Sequence, residues 1–109
     1  MMQTDTLDHL MRALADPTRR SIFERIVHAD EITVAGLTEG SGVTQGAISQ
    51  HLKTLKKAGL VIERPQGRNV YYRVQPEGLE PLFDWMSHYD RFWRDRFANL
   101  RSLLKEIDT

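Results

Sequence analysis

Apolar residues recur along the chain at two different periods, and the points where the period changes divide it into elements. Leu7, Leu10, Met11 and Leu14 follow helical steps of three and four, which predicts a first helix over residues 5–15. Asp16-Pro17 ends it and starts the next, because proline disfavours helical backbone at the residue before it, while Asp is a good N-cap and Pro a good first helical residue. The second helix is expected over residues 17–28, with Ile22, Phe23, Ile26 and Val27 inward. A short third helix is expected to begin at Thr33, with Val34 and Leu37 inward, and Gly40-Ser41-Gly42 breaks it. Thr44 then caps a fourth helix that closes at Gly59, a residue able to take left-handed backbone.

That fourth helix has two unlike faces. Ile48, Leu52 and Leu55 fall within one narrow arc, an apolar stripe for a core. Gln45, Gly46, Ser49, Gln50, Lys53 and Lys57 gather opposite, a face of small polar and cationic groups. Such a face suits a nucleic-acid groove, since these side chains bond base edges and phosphates and Gly46 lets the backbone come close. It suits an ordinary solvated helix surface equally. Two helices joined by a short Gly-containing turn, the second polar outside, form a helix-turn-helix pattern.

The period then drops to two. Residues 61–64 and 70–74 read as strands of a hairpin around a loop at 65–69. Val70, Tyr72 and Val74 share a face, and Arg68 stands at the tip, where a cation either enters a minor groove or simply solubilises the turn. Helical spacing returns in a last helix over residues 78–105, with a bend expected near His88. Leu82, Trp85, Tyr89, Trp93, Phe97, Leu100, Leu104 and Ile107 form its long apolar seam. One small domain cannot cover such a seam, so a second subunit is expected. The competing reading is an aromatic cage between the first and last helices for a small apolar effector.

A chain of 109 residues, 40% hydrophobic, is expected to be one folded domain over residues 1–109. With neither an 18-residue apolar run nor a signal-peptide pattern, a cytoplasmic location is expected and no membrane association. The absence of cysteine removes disulfides and thiolate metal sites. A net charge of zero conceals an uneven distribution: residues 42–75 carry six basic side chains against Glu63 alone, while residues 1–41 and 76–109 balance at −3 and −2. A basic centre between acidic flanks is an electrostatic footprint for a polyanion. Arg19 and Arg20 sit in the first turn of the second helix, where the helix dipole disfavours cations. An acidic or phosphate partner is expected for them, or, for Arg19, solvation beside Glu24.

His9, His28 and His51 share no spacing, and no phosphate loop, nucleophile elbow or paired carboxylate array occurs, so neither catalysis nor a cofactor is expected. Asp84 and His88 lie four residues apart and could share a helical face, as two metal ligands or as a helix-surface hydrogen bond.

The run ALADPTRRSIFERI, the helix ISQHLKTLKKAGLV and the hairpin around PQGRNVYYRV together resemble the ArsR/SmtB family of winged helix-turn-helix transcriptional repressors over roughly residues 5–105. The resemblance implies a mainly α fold with a small β-hairpin, in the order α-α-α-α-β-β-α. Residues 33–59 would be the helix-turn-helix and 61–74 the wing, with dimerisation through helices at 5–15 and 78–107. It further implies that Gln45, Gly46, Ser49 and Gln50 approach bases, with Thr44 at the start of the same DNA-facing set. Lys53 and Lys57 would meet phosphates and Arg68 the minor groove. Leu7, Leu10 and Met11 of the first helix, with Leu82, Trp85, Tyr89, Trp93, Phe97 and Leu100 of the last, would form the interface of a homodimer bound to an inverted-repeat operator in double-stranded DNA. By the same resemblance His51 supports its helix or a phosphate contact.

The chain departs from the metal-sensing members. Their motif Glu-Leu-Cys-Val-Cys-Asp-Leu aligns with Glu31-Ile32-Thr33-Val34-Ala35-Gly36-Leu37, which lacks both cysteines and the aspartate. In the family's other site an Asp-x-His pair is needed, and after Asp84 the matching residue is Met86. No metal is therefore expected at either family site. An effector, if one exists, would be organic, such as a small apolar ligand between the first and last helices. A winged-helix module that binds an acidic protein partner is the alternative to DNA binding.

Overall fold

The computed structural model describes the backbone of residues 2–108 and the side chains of residues 6–107; Met1 and Thr109, the ends of the expected domain, lie outside the described residues. The helices are α1 (Met2–Ala15), α2 (Pro17–Ala29), α3 (Val34–Thr38), α4 (Gln45–Lys57), α5 (Glu80–Ser87) and α6 (Asp90–Asp108), and the strands are β1 (Ile32–Thr33), β2 (Val61–Gln66) and β3 (Asn69–Val74). A 3-10 turn, Pro76–Leu79, leads from β3 into α5. Antiparallel pairing in the order β1-β3-β2 makes a three-stranded sheet. No helix among the described residues is long and apolar enough to cross a membrane.

Local chemistry accounts for most helix ends. Asp16 caps α2 by accepting from the Arg19 backbone N–H at 3.0 Å, with Pro17 in the first turn. Thr33 caps α3 by accepting from Gly36 N, and Thr44 caps α4 by accepting from Ala47 N. Gly59, at φ +78°, closes α4 as expected.

Arg19 and Arg20 behave otherwise than expected. Arg19 donates to the carbonyl oxygens of Ala13 and Arg12, and Arg20 to that of Leu14. Their partners are neither acids nor solvent but the carbonyls that α1 leaves open at its C-terminus, where the helix dipole favours a cation. Arg25 does the same for α3, donating to Gly36 O at 3.0 Å and to Leu37 O. It lies between the core positions Ile22 and Ile26, so a cation in that place needed a partner from another element.

The core gathers Leu10, Ala13, Ile22, Phe23, Ile26, Leu37, Ile48, Leu52, Leu55, Leu60 and Val61. Each fully buried Leu or Ile contributes roughly 1.5–3 kcal/mol. Two expectations fail here. Val27 is 47% exposed rather than inward, because α2 turns its Ile22-Ile26 side to the core. Leu10 has no exposed surface, so it belongs to the chain's own core and offers nothing to a dimer face. Leu7 and Leu82, also expected at that face, are partly buried against the same core.

Three elements differ from the sequence expectation. The strand β1 was not foreseen: its two residues pair with Tyr72 and Tyr71 of β3, and two residues carry no alternation to read. The hairpin loop is shorter, since Gln66 pairs with Asn69 and only Gly67-Arg68 intervene. Gly67, at φ +63°, occupies the first loop position with positive φ that a type II′ turn requires. Pro65 is thereby absorbed into β2, which it can join because β2 is an edge strand.

The expected last helix is divided. Ser87 Oγ donates to Asp84 O at 2.6 Å, and His88 Nδ1 lies 2.8 Å from the same oxygen. The N–H of His88 turns instead to Trp85 O, and that of Tyr89 to Met86 O. The i→i−4 ladder is interrupted there, and α6 starts afresh.

Candidate nucleic-acid interface

The buried stripe of α4, Ile48, Leu52 and Leu55, fixes which side the helix shows to solvent. Gln45, Gly46, Ser49, Gln50, Lys53 and Lys57 are all exposed, as is Thr44 before them. Among the described residues, nothing beyond its chain neighbours and its own helix backbone lies within 4 Å of the β-carbon position at Gly46, so a surface could approach the backbone there. Among the described residues, the side chains of Gln45, Ser49, Gln50, Lys53 and Lys57 make no hydrogen bond or ion pair with the chain. Thr44 is different: its hydroxyl oxygen is already the N-cap acceptor.

The basic segment is less free than its composition suggests. Lys56 Nζ lies 2.8 Å from Glu63 Oε1, and this hydrogen bond raises the Lys56 pKa. Arg64 is bound by both oxygens of Glu31, a residue from the acidic flank. Lys53, Lys57, Arg68 and Arg73 remain outside the ion pairs among the described residues. Arg68 occupies the exposed second position of the wing turn. The cationic surface therefore narrows to the outer side of α4, the wing tip and Arg73. The Arg19 backbone N–H holds the Asp16 carboxyl below its ordinary pKa, with smaller contributions from the Arg19 charge and from His51, which is half-buried on α4.

Asp84 and His88 meet through the backbone carbonyl of Asp84 and not through its carboxylate, which is the helix-surface hydrogen bond. Among the described residues no group of three or more His, Asp or Glu side chains is placed to hold a metal ion.

A second surface lies on α5 and α6. Trp85, Met86, Tyr89, Phe92 and Trp93 line an apolar pocket where the two helices meet. Trp85 and Tyr89 pack edge to face at 5.4 Å between ring centres, and Phe92 and Trp93 at 5.7 Å. Beyond the pocket, Phe97, Leu100, Leu103, Leu104 and Ile107 continue the exposed apolar side of α6, and Met11 of α1 is also exposed. Among the described residues, none of α6 joins the core.

Comparison with known proteins places this architecture. A family model for a helix-turn-helix domain matches residues 14–64. The HTH-type transcriptional regulator Rv2034 of Mycobacterium tuberculosis is 44% identical over 97 residues, which cover 89% of this chain and 87% of that protein. The arsenical resistance operon repressor of Escherichia coli is 29% identical over 99 residues, covering 90% of this chain and 81% of the repressor. The homodimeric winged helix-turn-helix DNA-binding domain of Mb0332 from Mycobacterium bovis, a possible ArsR-family transcriptional regulator, superposes with a TM-score of 0.65 at 27% identity and 81% coverage of each chain. With its helix-turn-helix, its wing and a relative this similar along most of its length, the chain belongs to the ArsR/SmtB family of winged helix-turn-helix transcriptional regulators.

Proposed function

We propose that this protein is a cytoplasmic, homodimeric repressor that binds an inverted-repeat operator, with α4 of each subunit in successive major grooves about one helical turn apart and the wings in the flanking minor grooves. Residues 1–109 act as one unit. The observation that carries the reading is the exposed, unengaged face of α4 formed by Gln45, Gly46, Ser49, Gln50, Lys53 and Lys57. Gln45, Ser49 and Gln50 read base edges, Lys53 and Lys57 hold phosphates, and Arg68 enters the minor groove. Thr44 sets the start of the helix beside the backbone.

Dimerisation uses Met11 with Trp85, Tyr89, Trp93, Phe97 and Leu100, whose exposure is more than one small domain leaves in water. The homodimeric relative supports this. Titration of duplex from the protein's own upstream region tests the function. Affinity should fall steeply with salt, because several phosphates are neutralised, and substitutions at Ser49 or Gln50 should change sequence preference. Binding indifferent to both salt and sequence would refute the assignment.

A second reading concerns release from DNA. The pocket lined by Trp85, Met86, Tyr89, Phe92 and Trp93 is almost wholly apolar, which favours a small apolar effector, held between α5 and α6 and not, as the sequence suggested, between the first and last helices. A thermal-shift series with small aromatic compounds tests it, and no shift that depends on Trp93 would remove it.

A further inference from the structure

One side chain ties the three strands of the sheet together. Arg64 donates through Nε to Glu31 Oε2 at 2.5 Å and through Nη2 to Glu31 Oε1 at 3.0 Å, while Nη1 donates to Gln66 Oε1 at 2.9 Å. Its guanidinium carbon stands 5.1 Å from the ring centre of Tyr71, the residue paired with Arg64 across β2 and β3. Glu31 immediately precedes β1, whose Thr33 pairs with Tyr71 from the other side. Arg64 therefore reaches from the edge strand β2, across the central β3, to the segment that enters β1.

The position of this strap matters as much as its bonds. β1 supports β3 only at Tyr72 and Tyr71, so the rung Arg64-Tyr71 is the last with a strand on both sides. Beyond it, residues 65–70 form a two-stranded ribbon that is exposed throughout, and such ribbons are marginal by themselves. β1 runs directly into α3, the first helix of the helix-turn-helix. A bond from Arg64 to Glu31 thus joins the base of the wing to the part of the fold that carries α4.

We propose that Glu31 and Arg64 are positioning residues, which fix the angle of the wing against the helix-turn-helix so that the Gly67-Arg68 tip meets DNA in one orientation. This deepens the DNA-binding function proposed for the chain, and its DNA arm rests on that function. The two-pronged contact also depresses the Glu31 pKa and raises that of Arg64. Arg64 commits three of its five N–H donors inside the protein, two to Glu31 and one to Gln66.

Glu31→Gln separates the two roles by sign. If Arg64 served DNA directly, freeing it from a carboxylate would tighten binding; the strap requires binding to weaken, by roughly fivefold to tenfold. Arg64→Lys should weaken binding similarly although the charge is kept, because an ammonium makes neither the fork nor the stack. In an Arg68→Ala background Glu31→Gln should have almost no further effect, since a tip without its cation gains nothing from being aimed. Without DNA, backbone order parameters at Gly67, Arg68 and Asn69 should fall in both variants while those of α4 stay as in the parent. Equal or tighter DNA binding by Glu31→Gln, or additivity with Arg68→Ala, would overturn the proposal. If the parent protein binds no duplex, the DNA-binding function fails instead, and unchanged order parameters at the tip would by themselves overturn the strap.

Discussion

Gly78 lies against the carbonyl of Gly59, so close that a β-carbon at residue 78 would stand 2.1 Å from that oxygen and 3.2 Å from the α-carbon of Leu60. The contact joins the 3-10 turn before α5 to the end of α4, beside the hydrogen bond from Gln75 N to Leu60 O. Backbone atoms cannot swing aside as a side-chain tip can. Gly78→Ala should therefore destabilise the protein by about 1–3 kcal/mol. Urea unfolding measures this, and a variant as stable as the parent would show that the segment relaxes freely.

Asp30 is the one non-glycine residue with positive φ among the described residues, at +65° with ψ −58°. Glu31 N donates to Ala29 O across it at 2.8 Å, forming a γ-turn of the strained hand. Such backbone costs on the order of 1–3 kcal/mol for a residue with a β-carbon. Asp30→Gly should raise the unfolding midpoint, the relief being offset in part by the greater freedom of glycine in the unfolded chain. A lower midpoint would mean that the Asp30 side chain supplies stabilisation that the turn needs.

Acid should weaken the junction between α1 and α2. The Arg19 backbone N–H holds the Asp16 carboxyl below its ordinary pKa, with the charges of Arg19 and His51 adding to it. A depressed carboxylate contributes stability that is complete above the unfolded-state value of about 4. That contribution is lost as pH falls through the lower folded-state value. Asp16→Asn keeps an N-cap acceptor but cannot titrate. Its stability curve should be flatter than the parent's below about pH 5, and the two should converge in acid. Parallel curves would exclude Asp16 as a source of the acid sensitivity.

The exposed side of α6 should govern assembly. Phe92, Trp93, Phe97, Leu100, Leu103, Leu104 and Ile107 are each 40–72% exposed, and most of a helix's stability in a protein comes from packing such an apolar face. Replacing Phe97 and Leu100 together by Ser should shift the protein from dimer to monomer in light scattering and weaken operator binding by roughly tenfold or more. The winged core should keep its thermal transition, because none of the described residues of α6 belongs to it. A double variant that remains dimeric would move the interface elsewhere.

The cationic α4 and wing surface illustrates what could be read early and what could not. Thr44, the stripe of Ile48, Leu52 and Leu55, and the closing Gly59 were legible in order, and so was the polar side they leave exposed. The charge count of residues 42–75 was legible too, but its meaning was not, since Lys56 and Arg64 are taken up by Glu63 and Glu31. On α1 the periodicity marked Leu10 and Met11 alike as apolar, yet one is fully buried and the other 37% exposed.

The sequence by itself determined the helices of the winged core, their caps and the polar face of α4, because each depends on residues within three or four positions of one another. Only the tertiary structure decided the third strand, the carbonyl partners of Arg19, Arg20 and Arg25, and the strap from Arg64 to Glu31. It also drew the line between core and exposed apolar surface. Glu31 and Arg64 are 33 residues apart, and nothing local records such a pairing. It exists because β1 and β2 settle on opposite sides of β3.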